Sequence, residues 1–209
     1  MLLVINNSKP ANSAHLSYIT HLRKALRFHR IPFQETTKID PKIDQMKFQG
    51  IIISGSPMKL TDPLFLSDYA YIMHYLMVFS DLPVFGICFG YQFLAQLHGL
   101  EVENQGKYHC ENSDVHLSET HPLFQGFPKS KLHSLQFCFS DLVITTPAIC
   151  KKYHIQEIGW FHYNHRKTAC ALDFGNRKYG TLFHPEYFDH SYSVLWHFYL
   201  SCLSSSNRI

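Results

Sequence analysis

The sequence predicts an α/β fold, in which a mainly parallel sheet is flanked by helices and continues into a strand-rich second half. Short apolar runs alternate with segments of helical periodicity in the first half of the chain. Further runs of β-branched and aromatic residues follow from Val115 onward. No linker or internal repeat divides the chain, so we expect one domain over residues 1–209.

The first half alternates strands and helices. Its predicted strands are short and apolar throughout, as in strands buried on both faces, and cover residues 2–5, 50–53 and 84–87. Its predicted helices cover residues 13–28, 66–79 and 91–98. They are indicated by apolar residues three or four positions apart, or by a proline or glycine that ends the helix. Strands that alternate with helices pair in parallel through right-handed crossovers.

The second half is richer in strands. Five further strands are predicted, at residues 115–117, 142–146, 157–162, 168–174 and 179–183. An aromatic-rich helix at residues 192–203 closes the chain.

Composition and charge argue against several classes of function. Apolar residues make up 45% of the chain and charged residues 17%, as in an ordinary globular protein. A net charge of +3 without an extended basic cluster argues against nucleic-acid binding. No apolar run is long enough to span a membrane. The apolar start of the chain lacks a basic targeting region and is predicted to be a buried strand.

The cysteines and histidines show no metal-binding spacing. The six cysteines are irregularly spaced and include no C-x-x-C pair. In a chain without a secretion signal, this pattern predicts reduced thiols and a cytoplasmic location. The fifteen histidines include no H-E-x-x-H motif. We therefore expect neither a metal ion nor a cofactor.

The most specific motif is G-x-C-x-G at residues 86–90, between a predicted buried strand and a predicted helix. A nucleophile on such a tight turn needs glycines two residues before and after it, because the neighbouring backbone passes close by. The N–H groups at the start of the helix favour a thiolate at Cys88. Cys88 is therefore predicted to be a nucleophile, and the alternative is a buried core cysteine.

A His-Pro-Glu element follows the last predicted strand. Residues two apart in an extended chain face the same side, and Pro185 disfavours a helix at His184. His184 can then move the thiol proton, while Glu186 orients its ring. Taken alone, the tripeptide is also compatible with a surface turn.

A third segment, at residues 53–57, follows another buried strand and contains Gly55 and Pro57. Parallel sheets place ligands beyond the carboxyl ends of their strands. The backbone N–H of Ser56 could therefore face Cys88, together with the N–H of Phe89, and the two could stabilise a tetrahedral oxyanion. A plain strand-to-helix turn is the alternative.

Together these motifs resemble those of class I glutamine amidotransferases. Residues 86–92 resemble the family's G-x-C-x-G-x-Q signature, residues 183–186 its F-H-P-E, and residues 51–57 its I-L-S-G-G-P segment. Residues 121–128 resemble a loop of the guanylate-synthase branch, and residues 133–135 the H-S-L of the anthranilate-synthase branch. The motifs occur in family order over nearly the whole chain.

The resemblance implies a flavodoxin-like sheet and a covalent thioester route from glutamine to glutamate and ammonia. It implies three groups of site residues: the triad Cys88, His184 and Glu186, the backbone oxyanion donors Ser56 and Phe89, and the glutamine-binding residues Gln92, Ser134 and Leu135. Many family members have glycine where this chain has Ser56. The backbone N–H of Ser56 can therefore act as an oxyanion donor only if Ser56 has a negative φ.

Three functions stay open at this point. The chain could be a glutaminase that supplies ammonia to a synthase, and since no synthase domain follows residue 209, that synthase would be a separate chain. It could instead hydrolyse γ-glutamyl peptides with the same Cys and His. It could also be a catalytically idle binding module on the same fold.

Overall fold

Strands and helices alternate in the first half of the chain as predicted, with one further strand at residues 33–36 and one further short helix at residues 41–44 that the sequence does not predict. The computed structural model describes residues 1–8, 16–62, 69–127 and 132–204, without the side chains of residues 16 and 17. Its strands are β1 (Leu2–Ile5), β2 (Phe33–Thr36), β3 (Gly50–Ile53), β4 (Val84–Ile87), β5 (Glu101–Leu117), β6 (His133–Ile144), β7 (Gln156–Tyr163), β8 (Arg166–Asp173) and β9 (Lys178–Thr181). Its helices are α1 (Leu16–Phe28), α2 (Pro41–Asp44), α3 (Ala70–Val78), α4 (Phe89–Leu97), α5 (Pro147–Tyr153) and α6 (Ser193–Leu203).

Within these ranges the strands form one sheet in the order β2-β1-β3-β4-β9-β8-β7-β5-β6. Strands β2, β1, β3, β4 and β9 pair in parallel. Strands β1, β3 and β4 are buried along their whole length, as continuous apolar runs require when helices cover both faces of a sheet. The carboxyl ends of β3, β4 and β9 therefore meet at one edge of the sheet.

From β9 onward the pairing is antiparallel, through β8, β7, β5 and β6. Strands β5 and β6 form a long hairpin whose register shifts between Asn104 and His109. The predicted α/β fold with a strand-rich second half is thus confirmed, and the sheet changes from parallel to antiparallel at β9.

The predicted long helices are confirmed where the chain is described. Residues 13–15 and 66–68, which begin two of the predicted helices, lie outside the described ranges. Helix α4 packs against β3, β4 and β9, and Phe198 of α6 packs against Phe85 of β4. Among the described helices, none is long and apolar enough to cross a membrane.

The prediction that all the cysteines are reduced thiols is wrong for one pair. Cys110 and Cys138 form a disulfide. They face each other across the β5–β6 hairpin with a Cα–Cα distance of 4.1 Å. Because 28 residues separate them along the chain, only the pairing register of the hairpin reveals their proximity. The thiols of Cys88, Cys150, Cys170 and Cys202 are free.

Candidate active site

Cys88 lies on a strained turn between β4 and α4. Its φ and ψ of 51° and −102° are unusual for a residue with a side chain. A Cβ on Gly90 would lie 2.3 Å from the carbonyl oxygen of Ile53, and one on Gly86 would lie 2.4 Å from the backbone of Gly90. No real Cβ approaches backbone so closely, so both positions require glycine. This geometry is the nucleophile elbow that the sequence predicts.

The side chain of Cys88 lies at the amino-terminal end of α4 and is only 3% exposed. Its thiol donates a hydrogen bond to the carbonyl oxygen of Cys138, at 3.0 Å. The first N–H groups of a helix have no acceptor within that helix, so they present partial positive charge to the sulfur and to a ligand beside it.

His184 and Glu186 form a buried pair beyond the end of β9. Each is 1% exposed, and His184 Nδ1 lies 2.8 Å from Glu186 Oε1. The backbone N–H of His184 donates to the carbonyl oxygen of Gln136 on β6, at 2.8 Å. His184 Nε2 is also buried and has no hydrogen-bond partner within the described residues. The ring is therefore anchored through Nδ1, and Nε2 remains available for proton transfer.

The charge state of His184 follows from its neighbours. Burial opposes the charged imidazolium, but the charge of Glu186 and the proximity of Cys88 outweigh it and raise the pKa of His184 to about 10. Below that pH, the ring carries the proton that a leaving amine needs.

Gly55 marks the point where the three predicted segments meet. A Cβ on Gly55 would lie 3.0 Å from Cε1 of His184 and 3.6 Å from Cβ of Cys88. The loop after β3, the turn after β4 and the segment after β9 therefore converge at the carboxyl edge of the sheet. The structure brings Cys88, His184 and Glu186 together as the sequence predicts, while their catalytic roles stay a proposal.

The segment that carries the predicted oxyanion donor is tied to the end of β1. Ser56 Oγ donates to the carbonyl oxygen of Asn7 at 3.1 Å and accepts from the backbone N–H of Met58 at 3.1 Å. Ser56 is not among the residues with positive φ, so it meets the condition for replacing glycine. Phe89, which supplies the second predicted donor, is the first residue of α4 and buries its ring against Tyr69.

A narrow cleft of about 10 Å³ surrounds the nucleophile, roughly the space that one water molecule needs. Its walls come from the loop after β3, the start of α4 and the β5–β6 hairpin: Ser56, Pro57, Met58, Lys59, Cys88, Gln92, Tyr108, Cys138, Phe139, Ser140 and Asp141. The amide of Gln92 donates to the carbonyl oxygen of Asp141 at 2.6 Å, so it ties α4 to β6 from within the cleft wall.

The other two predicted glutamine-binding residues do not line this cleft. On β6, Ser134 is exposed and lies opposite Asp114, while Leu135 is fully buried in the core. The part of β6 that does reach the cleft is the segment 138–141. The glutamine-binding role of Ser134 and Leu135 therefore stays a prediction without support from their positions.

Asp141 is a buried carboxylate in the cleft wall that the sequence motifs do not predict. It is 1% exposed and accepts hydrogen bonds from the backbone N–H and hydroxyl of Thr61 and from the side chain of Asn104. Its only sequence signal is an acidic residue inside an aromatic and apolar run at residues 137–144. No group of three or more potential ligands that could hold a metal ion occurs in the part of the chain that the structure describes.

Comparisons with known proteins show the family of this chain. The glutamine amidotransferase class-I family model matches residues 3–193. A glutamine-hydrolyzing GMP synthase subunit of Methanococcus maripaludis strain C6 is 23% identical over 193 residues, which cover 89% of this chain and 87% of that protein.

Solved structures show the same fold. A Thermoplasma acidophilum protein described as a GMP synthase subunit superposes with a TM-score of 0.73 at 19% identity, covering 98% of this chain and 94% of that one. A glutamine amidotransferase of Thermotoga maritima superposes with a TM-score of 0.64 at 15% identity, covering 100% and 85% of the two chains. Since the family match extends over residues 3–193, this chain belongs to the class-I glutamine amidotransferase family.

Proposed function

We propose that this chain hydrolyses the side-chain amide of L-glutamine through a thioester on Cys88 and releases glutamate and ammonia. The observation that carries the proposal is the buried group of Cys88, His184 and Glu186 at the carboxyl edge of the sheet. The continuous sheet supports treating residues 1–209 as one domain for this activity. We also propose a cytoplasmic location on the basis of the four free thiols, Cys88 among them, while the disulfide between Cys110 and Cys138 is a feature of oxidising compartments.

The geometry supports a two-stage reaction. In the first stage, the proton shared by Cys88 and His184 lies on His184, and the Cys88 sulfur attacks the amide carbon of glutamine as a thiolate. The backbone N–H groups of Ser56 and Phe89 stabilise the oxyanion. His184 then protonates the amide nitrogen as the C–N bond breaks, which releases ammonia and leaves the thioester. In the second stage, water gives its proton to His184 and attacks the thioester, which releases glutamate and restores the thiol.

Charged groups around the cleft complement the ends of free glutamine. Lys59 lies on its wall, and its positive charge attracts an α-carboxylate. Asp141 is buried and hydrogen-bonded to Thr61 and Asn104, so it attracts an α-ammonium group through its charge alone. A neutral amide without these two ends lacks both interactions, so the cleft favours a γ-glutamyl group over simple amides.

The assay that tests the proposal compares three substrates on the purified chain. We expect ammonia release from L-glutamine and slower cleavage of γ-glutamyl dipeptides. Release from L-asparagine should be much slower, because its amide is one methylene closer to its own α-ammonium and α-carboxylate groups. Truncating a well-placed group typically costs about 1–3 kcal/mol of transition-state binding, which predicts a preference of roughly tenfold or more. The measurement is kcat/KM for each substrate.

The alternatives make different predictions in the same assay. Dipeptides cleaved faster than glutamine is deamidated would identify a γ-glutamyl peptidase. An absence of turnover with all three substrates, from a folded chain both alone and with the lysate fractions described below, would identify an idle binding module.

We also infer that the ammonia passes to a separate synthase chain. The Methanococcus maripaludis relative is named as one subunit of GMP synthase and is matched over 87% of its length, so glutaminase chains of this size occur as subunits. The loop that carries Ser56 lines the cleft and leaves Met58 and Lys59 half-buried, within reach of a docking partner. A partner that favours one state of this loop would change the alignment of the oxyanion donor.

Glutamine turnover by the isolated chain is therefore expected to be slow and to rise when the partner is present. Coupling energies between sites are typically about 1–3 kcal/mol, which corresponds to roughly 5- to 150-fold. The test measures ammonia release by the purified chain alone and with chromatographic fractions of a lysate from its source. The Cys88→Ala chain in the same fractions gives the background. Fast turnover that no fraction alters would contradict a separate synthase.

A further inference from the structure

One face of α1 lies along the segment that contains His184. Tyr18 stacks on the ring of His184 with a centroid distance of 4.7 Å and an angle of 18° between the planes. His21 stacks in the same way on Tyr187, at 4.4 Å and 27°. Residues three apart on a helix share a face, so the two stacks dock α1 on this segment as a unit.

Tyr18 is also held at its far end. Its hydroxyl lies 2.7 Å from the hydroxyl of Tyr108. Tyr108 belongs to β5, at the point where the register of the β5–β6 hairpin shifts, and it lines the cleft. The Tyr18 ring is thus fixed between a helix, the hairpin and the imidazole on which it stacks.

His184 needs such a support, because its hydrogen bond to Glu186 constrains the ring at one atom only. The contact between Nδ1 and Glu186 fixes the tautomer but leaves rotation and tilt about that contact. Gly55 lies against the Cε1 edge of the ring. A flat aromatic group stacked on the face of the imidazole limits the remaining tilt, and such pairs prefer offset-stacked geometry.

We propose that Tyr18, through the ring that it stacks on the imidazole, is a positioning residue that keeps Nε2 of His184 aimed at Cys88. The inference rests on the proposed function for its consequence in catalysis, while the contact itself is independent of the substrate. No family motif in the sequence includes Tyr18 or Tyr108.

The same contact favours the charged form of His184. The titratable groups around this ring are Glu186 from its own segment, Cys88 from the start of α4 and Tyr18 from α1, with Tyr108 next to Tyr18. Burial and the hydrogen bond with Tyr108 raise the pKa of Tyr18, so its ring stays a neutral phenol. The negative π-face of a neutral ring attracts a cation above it.

The test replaces Tyr18 by leucine, which removes the ring, and by phenylalanine, which keeps it. For Tyr18→Leu we expect kcat with glutamine to fall about five- to tenfold with little change in KM, the size of a lost aromatic pair. We expect Tyr18→Phe to keep kcat within about twofold, since the stacked face remains. Circular dichroism on both variants confirms that they are folded.

A second readout needs no substrate. The ¹⁵N signals of the His184 ring, assigned by their loss in His184→Ala, are followed against pH. Loss of the π-face in Tyr18→Leu is expected to lower the titration midpoint by roughly 0.5–1 pH unit, whereas Tyr18→Phe stays close to wild type.

The matched control is His21→Leu, which removes the neighbouring stack from the same helix face. We expect it to leave both the His184 midpoint and kcat near wild type. Equal effects from His21→Leu would show that α1 acts only through docking, and an unchanged midpoint and kcat in Tyr18→Leu would also overturn the proposal. If the wild-type chain has no glutaminase activity, the proposed function fails, yet the titration still tests the positioning contact.

Discussion

Replacing Cys88 by alanine is expected to abolish ammonia release from glutamine, with a loss on the order of 10⁴-fold or more. The loss is this large because the thioester route disappears together with its sulfur. The fold should persist, since the strained turn depends on the glycines at positions 86 and 90 rather than on the sulfur. The measurement is ammonia release at saturating glutamine, with the unfolding transition as the check on stability.

Cys170→Ala is the matched control, because Cys170 is a fully buried free cysteine on β8 that does not line the cleft. It should keep most of the activity. A diazo or chloro analogue of glutamine should label Cys88 and should not label the Cys88→Ala chain. An adduct mapped to Cys150, Cys170 or Cys202 would contradict the assignment of the nucleophile.

The convergence of Cys88, His184 and Glu186 could be predicted from the sequence because the position of each depends on local chain geometry. The apolar run before Cys88 predicts a buried parallel strand, and parallel strands bring their carboxyl ends to one edge. The glycines around Cys88 and the proline beside His184 then fix how the chain leaves each strand. The structure adds the observation that a Cβ at Gly55 would contact both His184 and Cys88, which no sequence pattern shows.

Strand β5 is harder to predict because it is long and largely exposed. Most of β5 is polar, and only Val115 is buried along its 17 residues, so it lacks the alternation that identifies a half-buried strand. The sequence predicts a strand there only at residues 115–117. Strand β5 is stabilised by its pairing with β6 and β7, and its own sequence has no alternation of apolar and polar residues that would identify it.

The same hairpin explains the errors near the site. In a long antiparallel pair, the register decides which residues of the two strands lie opposite each other. A short sequence motif contains no information about that register. The H-S-L motif at residues 133–135 lies on β6, but the cleft is lined by the segment 138–141. The disulfide between Cys110 and Cys138 and the contact between Tyr18 and Tyr108 are likewise tertiary pairings between distant parts of the chain.

His184→Ala is expected to approach the loss seen for Cys88→Ala, because both the attack and the protonation of ammonia need the imidazole. Glu186→Gln keeps the ring and its reactive Nε2, so its loss should be smaller by about tenfold or more. The measurement is glutamine turnover at the pH optimum of each variant. Full inactivity of Glu186→Gln together with an active His184→Ala would show that the triad is misassigned.

The pH profile separates the orienting and electrostatic roles of Glu186. His184 must be protonated to release ammonia, and its pKa of about 10 means that activity should persist at mildly alkaline pH and fall as the pH rises through about 10. In Glu186→Gln the carboxylate charge is lost while burial still disfavours the imidazolium, so the alkaline limit should move down by about 1–3 pH units. The control is Asp44→Asn, which removes the carboxylate partner of another histidine, His74, away from the cleft. It should leave the limit unchanged, whereas an unmoved limit in Glu186→Gln would contradict the electrostatic role of Glu186.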